Sequence, residues 1–230
     1  MSSTIPSGAG DYLSPPKRLF PLVRHLSYPA TLALYRLPVT PNQITAASLV
    51  LGLLAAWMFS YTANHLVTLL AALFFTAGYV LDNCDGEIAR LKDLASDFGK
   101  RFDTFVDWIV HGAFFIALGF GISAQTGQNF WLWFGIAAAI GGTINYVIDT
   151  LRDSGINISG DREGFVEDGP DTSKSDQSLY ASRVIRTDFC FIVLALSLFD
   201  SLWLLLPTGA IGAQAYWMLQ FIKGFRRHHV

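Results

Sequence analysis

The chain has 230 residues, 52% of them apolar and only 15% charged, against roughly 25% charged in an ordinary soluble domain. A net charge of −2 excludes the strongly basic surface of a nucleic-acid-binding protein. The two cysteines, Cys84 and Cys190, sit in or beside apolar blocks and read as small buried residues, which excludes a disulfide framework.

Apolar residues arrive in long blocks, so the expected class is an all-α integral membrane protein. Residues 1–15 open on a Ser/Gly-rich stretch without the apolar run of a secretory signal peptide and read as a disordered tail. Residues 16–37 mix Lys17, Arg18, Arg24 and Arg36 with Leu19, Phe20, Leu22, Val23, Leu26, Leu32 and Leu34. That mixture predicts an amphipathic juxtamembrane helix lying at the membrane surface.

A membrane domain is expected over 38–224. A bilayer core about 30 Å thick needs roughly 20 apolar residues per helix, and six stretches qualify, near 43–61, 65–90, 102–123, 129–151, 187–206 and 208–224. Thr40-Pro41-Asn42 supplies a helix start, and Asn64, Gln128 and Pro207 mark breaks between successive spans. Small residues at Gly112, Gly119, Gly135, Gly141 and Gly142 permit close helix packing. Residues 225–230 form a short tail.

All 16 Lys and Arg residues fall in the N-terminal segment, the 90–101 and 152–186 connections, and the tail from Lys223. The positive-inside rule then places both termini and those two connections in the cytoplasm. The 152–182 connection carries seven acids and reads either as a loose cytoplasmic cover or as an ordered lid.

Charged groups inside a spanning segment are costly and usually serve a function. Asp82 and Asp85 lie three apart near the end of the second span, and Asp103 and Asp107 four apart at the start of the third. Each pair therefore shares a helix face, and the short connection predicts that the two helices are neighbours whose pairs converge. Four carboxylates in one cavity need countercharge. Hard divalent cations provide it, and Mg²⁺ favours carboxylates together with substrate phosphates. Two ions sharing these ligands suit a phosphoryl transfer.

Gly86 leaves room for a ligand near the backbone, and Arg90, one turn on, can pair with a phosphate. Gly99 serves either the same purpose or the turn into the third span. Glu87, Asp93 and Asp97 read as solvated helix ends, and His111 as a packed histidine. Asn145 and Asp149 either bind a polyol or line the wet end of the bundle.

The stretch Asp82-x2-Asp85-Gly86-x2-Ala89-Arg90-x8-Gly99-x3-Asp103-x3-Asp107 has eight fixed residues over 26 positions. It resembles, at every fixed position, the signature of the CDP-alcohol phosphotransferase family. The resemblance implies transfer of a substituted phosphate from a CDP-alcohol, often CDP-diacylglycerol, to an acceptor hydroxyl with release of CMP, in phospholipid synthesis. It implies two Mg²⁺ (or Mn²⁺) ions, one held by Asp82, Asp85 and Asp103, the second by Asp82, Asp103 and Asp107. Asp107 matches the family's general base.

Asn42, Thr45, Gly86, Arg90 and Ser96 match positions near the nucleotide or its phosphates; for Ser96 a turn-forming role is an equal reading. Arg152, Arg183 and Arg186 lie where members using inositol phosphates bind the acceptor's phosphate, or else anchor lipid headgroups. The family likeness also suggests a homodimer in the cell (inner) membrane, its active site facing the cytoplasm. The alternatives are the same chemistry with a soluble CDP-alcohol or with an inositol or sugar phosphate acceptor, and a divalent-cation transporter. A transporter needs a polar path to the outer face, where Asp200 is a candidate.

Overall fold

The structure, a computed structural model, describes residues 15–16, 19–153 and 188–227, apart from the side chains of Arg152 and residues 219–227. The N-terminal tail up to residue 14 and most of the acidic 152–182 connection lie outside the described residues, as do Arg183 and Arg186. Among the described residues the elements are all helical: α1 (Val23–Tyr35), α2 (Pro41–Phe59), α3 (His65–Leu91), α4 (Asp97–Thr126), α5 (Phe130–Asp153), α6 (Phe189–Leu198) and α7 (Leu205–Arg227), with a 3₁₀ turn over Leu202–Leu204.

Local chemistry sets the helix starts. Thr40 and Gln43 form a reciprocal capping box in front of Pro41: Gln43 N donates to Thr40 Oγ1 at 3.4 Å, and Thr40 N to Gln43 Oε1 at 3.0 Å. Both satisfy donors that the first helical turn would otherwise orphan. Asn64 caps α3 by accepting from Val67 N at 3.2 Å. Ser96 caps α4 by accepting from Gly99 N at 3.0 Å, so this helix starts five residues before the third apolar stretch. It ends at Gly127, whose φ of 70° is open to glycine without steric cost.

Among the described residues, four helices are long and apolar enough to cross a bilayer: Pro41–Phe59, His65–Leu91, Asp97–Thr126 and Phe130–Leu151. The stretch 187–206 is not one continuous helix. α6 spans 10 residues, about 15 Å at 1.5 Å per residue, and stops at a turn containing Asp200, whose φ is 52°. Aspartate tolerates this left-handed conformation better than most residues. Pro207, expected to separate two helices, instead lies in the first turn of α7, where a missing N–H costs nothing.

The arrangement around the acids also departs from the expected neighbour pair. α2 packs along both α3 and α4, whereas α3 and α4 make little close backbone contact with each other. Their acids therefore face across a gap that α2 bridges. Beyond it, Phe59, Phe75 and Phe114 are fully buried and meet at centroid distances of 4.9 to 6.3 Å. α4 and α5 cross closely where a methyl on Gly119 would sit 3.3 Å from Gly135 Cα. Gly112 and Gly142 face open space and play no such part.

α1 lies on α3 with Val23, Ser27 and Thr31 buried at four-residue spacing, while Leu26 is 46% exposed. Its first turn is capped from far along the chain. Asp188, buried at the start of α6, accepts from Leu22 N at 2.8 Å and from Val23 N at 2.9 Å.

Candidate functional site

Three of the four aspartates come together. Carboxylate oxygens of Asp82 and Asp85 on α3 and of Asp103 on α4 lie within 4.8 Å of one another. Asp85 is 6% exposed, and Asp103 Oδ1 is buried without a hydrogen-bond partner. A buried oxygen left unpaired amid like charges is expensive. The oxygen donor set and the orphaned atom together fit a hard divalent cation.

Asp107 is not a member of that trio. It lines, with Asp82, a small cavity whose other walls include Ser48, Gly52, Gly78, Tyr79 and Val106. Just beyond it, Tyr79 Oη lies 2.5 Å from His111 Nε2, and His111 Nδ1 lies 2.8 Å from the Asp107 carbonyl. A carbonyl only accepts, so Nδ1 carries the proton and Nε2 accepts from the phenol. His111 is thus packed between the two helices, as its position one turn beyond Asp107 suggests.

The residues expected near a nucleotide gather at the same end. A methyl placed on Gly99 would sit 3.1 Å from Ser96 Oγ and 3.2 Å from Asn42 Oδ1. The first turns of α2 and α4 therefore meet there, and only glycine leaves the space between them open. The Arg90 guanidinium lies over Gly86, with its nitrogens 3.6 and 3.9 Å from where a methyl on Gly86 would be. Ser96 is the cap of α4. Thr45 is buried, and its hydroxyl donates to Asp85 Oδ2 at 2.5 Å, so its partner in this structure is an acid of the trio.

Glu87 corrects the sequence reading. It is not a solvated helix end but 5% exposed, with Thr31 Oγ1 donating to its Oε2 at 2.6 Å and Arg24 Nη2 3.6 Å from its Oε1. Residue 87 points about 200° around α3 from residue 85, toward α1 and away from the trio. Arg24 and Thr31, two turns apart on α1, were the available signal. Lys92 carries no signal in the sequence, yet its ammonium donates to the Leu37 and Val39 carbonyls, both at 2.8 Å, and ties the α1–α2 linker to the end of α3.

The acceptor-side residues divide. Arg183, Arg186 and the Arg152 side chain lie outside the described residues. Lys100 pairs with Asp153 at 3.0 Å, which brings the end of α5 to the start of α4. Asn145 Nδ2 donates to the Ala213 carbonyl on α7 at 3.4 Å. Asp200 stands 4.0 Å from His65 at the start of α3, in an exposed turn.

Apolar helices that bring three aspartates together, one of them buried, beside an arginine and two meeting helix N-termini, are consistent with a helical membrane protein that has a site suited to cations and phosphates. Residues 38–170, more than half of the chain, match the family model described as CDP-alcohol phosphatidyltransferase. The chain belongs to this family of transferases.

Among curated relatives, a bifunctional IPC transferase and DIPP synthase of Thermococcus kodakarensis is 30% identical over 116 residues, 50% of this chain and 25% of that protein. An archaetidylinositol phosphate synthase of Pyrococcus horikoshii is 36% identical over 85 residues, 36% of this chain and 43% of that protein. A CDP-diacylglycerol–serine O-phosphatidyltransferase of Helicobacter pylori is 32% identical over 88 residues, 35% of each. The chain thus spans less than half the length of each of these relatives. The crystal structure of Mycobacterium tuberculosis phosphatidylinositol phosphate synthase with CDP-DAG bound shares the fold, with a TM-score of 0.55 and 18% identity over 85% of this chain and 93% of that one.

Proposed function

We propose that this chain transfers a substituted phosphate from a CDP-alcohol, with CDP-diacylglycerol as donor, to an acceptor hydroxyl, releasing CMP in phospholipid synthesis. The observation that carries this reading is the meeting of Asp82, Asp85 and Asp103 oxygens within 4.8 Å beside the first turns of α2 and α4.

In this reading Asp82, Asp85 and Asp103 hold a Mg²⁺ or Mn²⁺ ion, and Asp107 joins Asp82 and Asp103 around a second. Bound Mg²⁺ supplies neutralisation of charge on the phosphate oxygens. Arg90 pairs with the donor's phosphates over the space Gly86 leaves, and Asn42, with the free N–H groups of the α2 N-terminus, faces the nucleotide. Thr45 orients Asp85, and Ser96 shapes the entry to α4. Asp107 takes the proton of the acceptor hydroxyl. The acceptor oxygen bonds to the β-phosphorus, the bond from that phosphorus to the CMP oxygen breaks, and the bonding pair leaves with CMP.

The reading includes a membrane placement. The catalytic unit covers 38–224, and its last helix runs on to Arg227 rather than ending in a tail at 225. Helices α2 to α5 make four spans, and two more run through α6 and α7. α1 lies in the interface, where Leu19, Phe20, Leu26 and Leu37 are exposed to enter the lipid beside Arg24 and Arg36. The Lys and Arg distribution supports a cytoplasmic site and cytoplasmic termini in the inner membrane, with two copies forming a homodimer.

For the acceptor, an inositol phosphate or another phosphorylated polyol is favoured. One relative is named an archaetidylinositol phosphate synthase and the structural neighbour a phosphatidylinositol phosphate synthase, and Arg152, Arg183 and Arg186 would meet such an acceptor's phosphate.

The test is CMP release by the purified chain in vesicles with Mg²⁺, CDP-diacylglycerol and a panel of acceptors that includes inositol phosphates, serine and glycerol phosphate. CMP together with a new phospholipid is expected. No CMP from any CDP-alcohol with any acceptor overturns the reading, and Mg²⁺ flux into sealed vesicles without CMP would replace it with transport.

A further inference from the structure

Gly86 lies between two acids, and each acid is gripped by a threonine from a different helix. Thr45 of α2 donates to Asp85 at 2.5 Å, and Thr31 of α1 donates to Glu87 at 2.6 Å. Asp85 belongs to the aspartate trio; Glu87 does not and faces α1. We propose that Glu87 is a positioning residue: by binding Thr31 and Arg24 it clamps α1 onto the turn of α3 that carries Asp85, Gly86 and Arg90, and so sets how tightly that turn holds metal and donor.

Burial makes the acid hard to explain by packing alone. Glu87 is 5% exposed and Thr31 fully buried. A carboxylate taken out of water is strongly disfavoured without charge-assisted partners, and apolar side chains usually pack such a seam at least as well. The acid here has both an O–H donor and the Arg24 guanidinium, which remains 40% exposed at the seam's edge.

The rest of the seam serves the same turn. Cys84 Sγ donates to the Ser27 carbonyl at 3.6 Å. Ile44, Cys84 and Ile88 form a buried cluster against Ala30 and Leu34, so α1, α2 and the Asp85 turn share one small core. α1 is held at its own start by Asp188. Movement of α1 is thereby coupled to the backbone between Cys84 and Ile88, where Gly86 has no side chain to brace it.

The experiment uses the full chain in vesicles and measures two quantities. One is Mn²⁺ affinity without donor, read by the electron paramagnetic resonance of free Mn²⁺. The other, which rests on the transferase reading, is the CDP-diacylglycerol KM and kcat of CMP release. Glu87→Ala should weaken Mn²⁺ binding and raise the donor KM about 10-fold, the low end of what partners of metal ligands contribute, with kcat changed less than about 2-fold.

Thr31→Val, which buries no new group, should move both quantities in the same direction by a smaller factor. Glu87→Gln keeps an acceptor for Thr31 and should restore most of the loss. If both Glu87→Ala and Thr31→Val leave Mn²⁺ affinity and donor KM at the wild-type values, whatever they do to yield or melting, the positioning role is overturned. If wild type releases no CMP yet Glu87→Ala and Thr31→Val weaken Mn²⁺ binding, the transferase reading fails and the clamp stands.

Discussion

Thr45 Oγ1 donates to Asp85 Oδ2 at 2.5 Å, joining the second turn of α2 to the only acid of the trio that is less than a tenth exposed. The hydroxyl also lies 3.1 Å from the Pro41 carbonyl. It has one hydrogen, and the carboxylate is the shorter and stronger acceptor. Thr45→Val keeps shape and volume but leaves that Asp85 oxygen without its donor. The variant should bind Mn²⁺ roughly 10-fold to 100-fold more weakly, measured by titration of the purified chain, and Thr45→Ser should recover most of the affinity. Unchanged affinity in Thr45→Val would show that the bond does not orient a ligand.

Asp107 stands apart from the oxygen trio and lines the cavity with Asp82 and Tyr79, the placement expected of a base that reaches an incoming hydroxyl. Asp107→Asn is nearly isosteric, keeps one accepting oxygen, and removes the negative charge together with the ability to take a proton. CMP release should fall by about 100-fold or more, while binding of the CDP donor, measured by calorimetry, changes little. Full turnover in this variant would remove Asp107 as the base.

What the sequence made readable follows physical range. The Thr40-Pro41 start and the Asn64 break are local, and each stands where expected; the spacing of the acids is local too, and it brings three of the four together. The break at Asp200 was missed because a proline is a louder signal than an aspartate, yet the proline is harmless in a first turn. Glu87 was misread because helical periodicity gives the direction a side chain faces but not which element covers it. α1 covers it, and the Asp188 cap that holds α1 joins residues more than 160 apart in sequence. The gap between α3 and α4 depended on α2 packing along both, and short linkers alone do not encode a bridging third helix.

Two glycines give a contrasting pair for helix packing. A methyl on Gly121 would sit 2.5 Å from the Phe59 carbonyl oxygen and 3.0 Å from Ser60, and backbone cannot yield as a flexible side chain can. Gly112 has nothing within 4 Å of that position. Gly121→Ala should destabilise by about 1 to 3 kcal/mol through overpacking and lower the melting midpoint in detergent. Gly112→Ala should be neutral or slightly stabilising, since alanine is the better helix former by roughly 1 kcal/mol. Equal shifts in the two variants would contradict the close approach of α4 to the end of α2.

Asp188 accepts from both Leu22 N and Val23 N, although α1 has no side-chain cap of its own at Leu22. The carboxylate therefore satisfies two donors of a first turn and places negative charge at the positive end of the helix. Asp188→Ala removes both bonds and should cost about 0.5 to 2 kcal/mol, the usual range for losing a cap. Asp188→Asn keeps one accepting oxygen and should cost less. The loss should be local, because the core around Phe59, Phe75 and Phe114 does not involve the α1 start. Hydrogen exchange resolved by segment is the measurement: protection should fall across Val23–Tyr35 and persist in α4. If α1 keeps its protection in Asp188→Ala, its attachment depends on the Glu87 seam rather than on the cap. The double variant with Thr31→Val would then separate the two by their coupling.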